Sequence, residues 1–159
     1  MKSGEIAKLI ISMAAVFATG AVGSLFTSRA IPTWYKTLTK PRFSPPNWLF
    51  GPAWTVLYVL MAVAAYLVWR NGFAAPGVKA ALAVFLVQLV LNALWSGLFF
   101  GLRSPLAGLI GIVALWLAIL ATIVLFLGVS TLAGALLLPY IGWVSFAAIL
   151  NAAILRLNH

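Results

Sequence analysis

The sequence contains no cysteine, one acidic residue (Glu5) and one histidine, His159 at its very end. Without cysteine there is no disulfide, no thiolate nucleophile and no thiolate metal site. A lone carboxylate near the N-terminus excludes paired-carboxylate hydrolysis, a Ser-His-Asp triad and an Asp/Glu/His proton relay within the chain's apolar runs. Two-metal catalysis and a histidine-ligated haem also lack their ligands, and a terminal histidine reads as solvated. No metal or resident cofactor is therefore expected. Neither a P-loop nor a dinucleotide fingerprint occurs, which argues against ATP-driven pumping by this chain alone.

What the chain has in abundance is apolar length. Of its 159 residues 65% are hydrophobic and only 7% charged, a composition unsuited to water. Five runs carry no internal Asp, Glu, Lys or Arg: Leu9–Phe26, Trp48–Trp69, Ala80–Leu102, Leu106–Val129 and Leu132–Leu155. At 1.5 Å per helical residue each spans, or nearly spans, a hydrocarbon core roughly 30 Å thick. None has the polar face that a soluble bundle requires. The expected fold is all-α: a single domain, residues 1–159, forming an integral membrane bundle of five transmembrane helices. Lys2, Lys8 and the run containing "AVFATGA" also fit a cleavable signal peptide, whose removal would leave four spans. That run continues through Val22, Leu25 and Phe26, which favours a retained helix.

The formal charge is +9. No nucleic-acid motif accompanies it, and basic residues flanking apolar runs are explained by anionic headgroups. Five spans put the termini on opposite sides. Lys2, Lys8, Arg70 and Lys79 fall on one side; Arg29, Lys36, Lys40, Arg42, Arg103 and Arg156 fall on the other. This excess tips the long first loop and the C-terminus toward the cytoplasm. The remaining connections are short, so sequential helices are expected to be neighbours.

That first loop, residues 27–47, is expected to be structured and to cover a ligand cavity. "KPRFSPPNWLFGPAWTVLY" concentrates proline, tryptophan and basic charge. Pro41, Pro45 and Pro46 stiffen the backbone. Either Asn47 caps the second helix and Pro52 kinks its second turn, or Pro52 takes the first helical position. An aromatic belt at headgroup depth accounts for Trp34 and Trp48. It does not account for the prolines, nor for Trp54 and Tyr58 running inward on one helical face, and a rigid aromatic lid accounts for both.

Polar residues inside the spans narrow the site. Gln88 and Asn92 lie one turn apart on the third span, with Trp95, Ser96 and Phe99 near the same stripe. They either join helices or form a cavity wall. Trp143, Ala147 and Asn151 share a face of the fifth span, where Pro139 predicts a kink. Gly97 and Gly101 in "GLFFG" match a small-xxx-small contact, between two protomers of a homodimer or between helices of one. The inventory suits a large, flat, hydrophobic ligand with aromatic walls, and basic residues at the mouth suit its carboxylates. With nothing axial awaiting a metal, a free-base macrocycle fits better than a haem.

"WYKTLTKPRFSPPNWLFGPAWTVLY", "LNALWSGLFF" and "LPYIGWVSFAAILN" resemble the TspO/translocator protein family, the tryptophan-rich sensory proteins, over almost the entire chain. The resemblance implies a five-helix bundle, commonly dimeric, in a membrane of the bacterial cell envelope. It also implies a cavity beneath the first loop for porphyrins and benzodiazepine-type or isoquinoline ligands. On it, Trp34 looks like the loop tryptophan beside the ligand, Trp54 the second-helix indole, and Asn92 the amide facing the cavity. Trp143 looks like the tryptophan implicated with Trp34 in light-dependent porphyrin breakdown in some members, and Ala147 like a size-sensitive position. The acid that often precedes the loop tryptophan is absent from Ser28–Thr33. Ala152 breaks the sterol pattern before Arg156, which argues against specific cholesterol binding.

The ligand-binding set expected is thus Trp34, Trp54, Tyr58, Gln88, Asn92, Trp95, Trp143 and Ala147. The expected function is a membrane tetrapyrrole-binding sensory or translocator protein. The alternatives are light-dependent porphyrin degradation, with Trp34 and Trp143 as the catalytic pair, or porphyrin or lipid transport.

Overall fold

Five long helical spans cross the molecule in a computed structural model that describes residues 2–159. Helix α1 (Ser3–Ala30) continues into a π-helical segment, Ile31–Tyr35. Helices α2 (Asn47–Trp69) and α3 (Val78–Ser96) follow, the latter extended by a second π segment, Gly97–Gly101. Helix α4 covers Pro105–Val129, and the fifth span is divided into α5 (Thr131–Leu136) and α6 (Leu138–Leu157).

The helices are apolar outside as well as inside. Ile110, Leu117 and Val124 point outward from α4 at seven-residue spacing, and Leu86, Val90 and Leu94 point outward from α3 at four-residue spacing. Such a surface would aggregate in water, but it matches hydrocarbon. The molecule is an integral, multi-pass membrane protein. Within it, small residues replace the hydrophobic driving force as the means of close packing: Ala62, Ala64 and Ala65 of α2 are buried beside Val16 of α1 and Met61.

Proline breaks one span and marks the start of another. Pro139 cannot donate to the carbonyl of Ala135, so the fifth span divides at Leu137 instead of running straight. Pro52 lies inside α2, which starts at Asn47 with Pro46 as its extended cap residue, so Asn47 is the first helical residue and not the cap.

The first loop begins later than hydropathy implies. Residues 27–35, read as loop because Thr27, Ser28 and Arg29 are polar, remain helical. Hydropathy marks where a chain leaves hydrocarbon, not where its helix ends. The Thr27 hydroxyl donates to the carbonyl of Gly23 at 2.9 Å and the Thr33 hydroxyl to that of Arg29 at 2.7 Å, so their polarity is satisfied without unwinding. Pro32 takes away a backbone donor, and the wider π turn accommodates its ring. The irregular link is then only residues 38–46.

Around the bundle, α1 packs on α2 and α3, α3 on α4, α4 on α6 and α5, and α5 on α2. Sequential neighbours hold for α1/α2, α3/α4 and α4 with the fifth span. Helices α2 and α3, however, meet only lightly, because residues 70–77 carry the chain across the end of the bundle. Helix α1 fills the resulting gap as an integral wall. Its Phe26 lies against Gly97 and Gly101, where an added methyl would approach the ring to 3.7 Å and 2.9 Å. Of the two roles open to this glycine pair, the structure therefore shows contact within one chain.

Gly108 of α4 is more tightly held. A methyl there would meet the Phe99 Cβ at 2.9 Å and the Asn151 Oδ1 at 2.9 Å, neither of which moves freely, whereas Gly142 faces open space. Gly108→Ala is expected to cost about 1–3 kcal/mol of stability. Gly142→Ala should leave the unfolding temperature unchanged or slightly raised. Thermal unfolding of both variants in one detergent checks the contrast.

Candidate functional site

The gap between α1, α2 and the lightly touching α3 holds a cavity of about 540 Å³. This lies within the size range of small-molecule sites. Its walls are mostly apolar. Trp54 of α2 and Trp95 of α3 face each other with ring centroids 6.2 Å apart, and Phe50 and Phe100 close the end nearest the first loop. On the other side α1 offers the edge of Phe17 and a row of small residues, including Gly20, Ala21 and Ser24.

Gly20 has a specific task. A Cβ there would lie 2.6 Å from the Tyr58 ring, so only glycine lets that ring lie flat against α1. The Tyr58 hydroxyl donates to the Oδ1 of Asn92 at 3.3 Å, making the polar floor of the cavity. Below it, Asn92 Nδ2 donates to the Tyr140 hydroxyl at 2.7 Å, and Tyr140 donates to the Oε1 of Gln88 at 2.8 Å. Gln88 and Asn92 are only 1% and 2% exposed, so in hydrocarbon these partners are what make their burial tolerable. Gln88 and Asn92 thus both join helices, and Asn92 also reaches the cavity.

The other expected site residues lie elsewhere. Trp34 is half-buried outside the cavity, packed edge-on against Phe99 at 5.5 Å in a second apolar cluster with Tyr35, Leu150 and Ile154. Trp143 lies on the far side of α2, in an open groove between α2 and α6 with Leu57, Pro139 and Phe146. Ala147 packs against the core, and Gln88 stays beneath the floor. Trp54, Tyr58, Asn92 and Trp95 are brought together. Trp34 and Trp143 are not. Phe50 stands between the two hollows, lining the first while its ring lies 6.3 Å from that of Trp143.

Two features escaped sequence reading. The α1 wall has no chemical signature, since Gly20, Ala21 and Ser24 resemble any small-residue helix. The tie of the loop to the C-terminus is the second. Asn158 accepts from the Thr39 N–H at 2.9 Å and donates to the Thr39 carbonyl at 2.8 Å, clasping the loop to the end of α6. Phe43 adds a ring contact with Phe146 at 6.3 Å. Residues 38–46 thus pack toward α6, and Asn47, the first residue of α2, is what reaches the cavity rim.

The sequence profile of the TspO/MBR family matches residues 12–157. The chain belongs to the TspO/MBR family. It is 52% identical to the tryptophan-rich protein TspO of Archaeoglobus fulgidus over 97% of this chain and 99% of that protein. The tryptophan-rich protein TspO of Chlorobaculum tepidum is 44% identical over 97% and 98%. The human translocator protein is 39% identical over 87% of this chain and 82% of its own.

Because Asn158 is at the surface, its removal should loosen the loop without unfolding this TspO/MBR-family bundle. Asn158→Ala is expected to speed hydrogen exchange at the Thr39 amide by about tenfold. Exchange in the middle of α3 should be unchanged. Gly20→Ala should instead displace Tyr58, seen as a changed tyrosine environment in near-ultraviolet circular dichroism.

Proposed function

We propose that this protein is a membrane binding protein for flat, hydrophobic aromatic ligands, tetrapyrroles among them, held in the cavity between α1, α2 and α3. The single observation that carries the reading is the combination of facing Trp54 and Trp95 indoles with the polar Tyr58–Asn92 floor. Aromatic faces take up a planar ring system by stacking and dispersion, and the floor orients its edge. Related chains bear the names tryptophan-rich sensory protein and translocator protein, which fit a receptor or carrier for such a molecule. Arg29 at the loop end of α1 and Lys36 beyond it offer cations for ligand carboxylates projecting past the rim.

In this reading Trp54 and Trp95 are the stacking residues, Tyr58 and Asn92 the orienting ones, and Gln88 a support. Trp34, Trp143 and Ala147 have no direct part. Light-dependent breakdown of a bound porphyrin, with Trp34 and Trp143 as its electron-transfer residues, draws no support from the lining of this cavity. Transport lacks a charged coupling group within the spans.

Titrating protoporphyrin into purified protein and following tryptophan fluorescence tests the assignment. Saturable quenching is expected, weakened about tenfold by Trp54→Ala and changed less than about twofold by Trp143→Phe. Equal losses in the two variants would move the site to the α2/α6 groove. Under illumination in oxygen, the bleaching rate of the complex is expected to be the same in the Trp34→Phe, Trp143→Phe double variant as in the unaltered protein.

A further inference from the structure

We propose that the groove between α2 and α6 seats one acyl chain of an anionic phospholipid, whose phosphate is held by Arg42 of the first loop. The seat is separate from the cavity between α1, α2 and α3, and it stands whether or not that cavity takes a tetrapyrrole.

The groove exists because both helices withhold volume on one face. Helix α6 turns Pro139 and Gly142 toward it, and no atom lies within 4 Å of where a Gly142 Cβ would stand. Helix α2 contributes the small Ala53, and the buried Leu57 closes the floor. The hollow measures about 570 Å³, and Trp143 and Phe146, their centroids 5.7 Å apart, form an aromatic bank along it. Val56 on the opposite bank is 59% exposed, so the groove opens onto hydrocarbon. An acyl chain matches such a surface, being flexible, apolar and without hydrogen-bonding demands.

Charge at the loop end of the groove decides which lipid. The Phe43 ring lies 6.3 Å from that of Phe146 and roofs the groove there. Arg42, the residue before it, is exposed, and the Asn158 clasp on Thr39 holds this stretch of loop against α6. The nearby Lys40 is already engaged: its ammonium donates to the Leu38 carbonyl at 3.3 Å and lies 4.6 Å from the Tyr35 ring centroid. Among the described residues Arg42 has no ion-pair partner, because the one acidic side chain, Glu5, is paired with Lys8 at the opposite end of the bundle. A guanidinium at headgroup depth binds a phosphodiester in bidentate fashion, and an anionic headgroup carries no cation of its own to compete with it. A second copy in the same membrane is the poorer occupant, since it brings the same unpaired cations to the same height.

The test uses full-length protein in phosphatidylcholine nanodiscs that contain a minor fraction of lipid brominated in mid-chain, which quenches tryptophan on contact. The brominated lipid is either phosphatidylglycerol or phosphatidylcholine. The difference between unaltered and Trp143→Phe protein isolates the Trp143 signal from the other indoles. Phosphatidylglycerol is expected to quench Trp143 at about one-fifth of the mole fraction that phosphatidylcholine requires, the worth of one cation beside an anionic headgroup. Arg42→Gln should bring that ratio below about twofold. Arg103→Gln, in the turn between α3 and α4 and away from α2, should leave it unchanged. Gly142→Leu fills the groove and should remove the preference, with the circular dichroism of the unaltered protein retained. Equal quenching by the two lipids in the unaltered protein overturns the inference. So does an equal loss of preference in Arg42→Gln and Arg103→Gln, the mark of a diffuse cationic surface with no seat. Because the chain has no cysteine, Gly142→Cys adds a lone thiol, expected to stay monomeric under mild oxidation. Disulfide-linked dimers would show a second copy covering the groove and overturn the inference too. Each of these outcomes leaves the reading of the α1–α3 cavity in place.

Discussion

Hydrocarbon supplies no hydrogen bonds, so a polar side chain carried into it must be met by another side chain or by backbone. Much of this molecule follows from how that demand is answered on α3. Gln88 and Asn92 reach Tyr140 on α6 and Tyr58 on α2, while Trp95 donates from its indole to Asn151 of α6 at 3.3 Å. These bonds hold α3 in rotation and depth against helices with which its apolar contacts are interchangeable. On α4, Trp116 donates to the Ser145 hydroxyl of α6 at 2.8 Å in the same manner. Each such bond is individually modest in a membrane, about 0.6 kcal/mol on average. Their contribution is specificity of arrangement.

The cavity exists because the chain withholds volume where it could have packed. Helices α2 and α3 are kept apart by the crossing of residues 70–77, and α1, which enters the gap, brings glycine, alanine and serine where larger residues would fill it. The same smallness works differently at each position. Gly20 yields room to the Tyr58 ring, Gly23 to the Ser96 hydroxyl, and Gly101 to Phe26. Rigidity comes from the ends: the π turn at Pro32, the Asn158 clasp on Thr39, and the Phe43–Phe146 contact hold the rim residues at fixed heights. A hollow built in this way is formed without help from a ligand, and preformed hollows carry a low ordering cost for binding.

Helical spacing made part of this site readable. Trp54 and Tyr58 lie four residues apart on α2, and Gln88, Asn92 and Trp95 nearly share a stripe on α3, so their faces followed from the 3.6-residue period alone. Pro139 announced its break for an equally local reason. Spacing within one helix says nothing of what stands opposite. Trp143 and Ala147 do share a face of α6, but Trp143 lines a groove on the far side of α2 while Ala147 packs against the core, and Trp34 turns to Phe99. The start of the first loop was also misplaced by polarity, since hydroxyls bonded to their own helix allow α1 to continue past the hydrocarbon.

By itself, the sequence determined the solvent, the five spans and the absence of acid, thiol and internal histidine chemistry. These depend on composition and on run length against a bilayer of known thickness. It also determined which polar residues share a helical face, because that is a property of one helix. Only the tertiary structure decided the order of helices around the bundle, the separation of Trp34 and Trp143 from the main cavity, and the direction of the bonds from Gln88 to Tyr58. In a chain whose lipid-facing and core-facing surfaces are equally apolar, hydropathy carries no signal to orient one helix against another, and the choice passes to side-chain volume and the pairing of a few polar atoms.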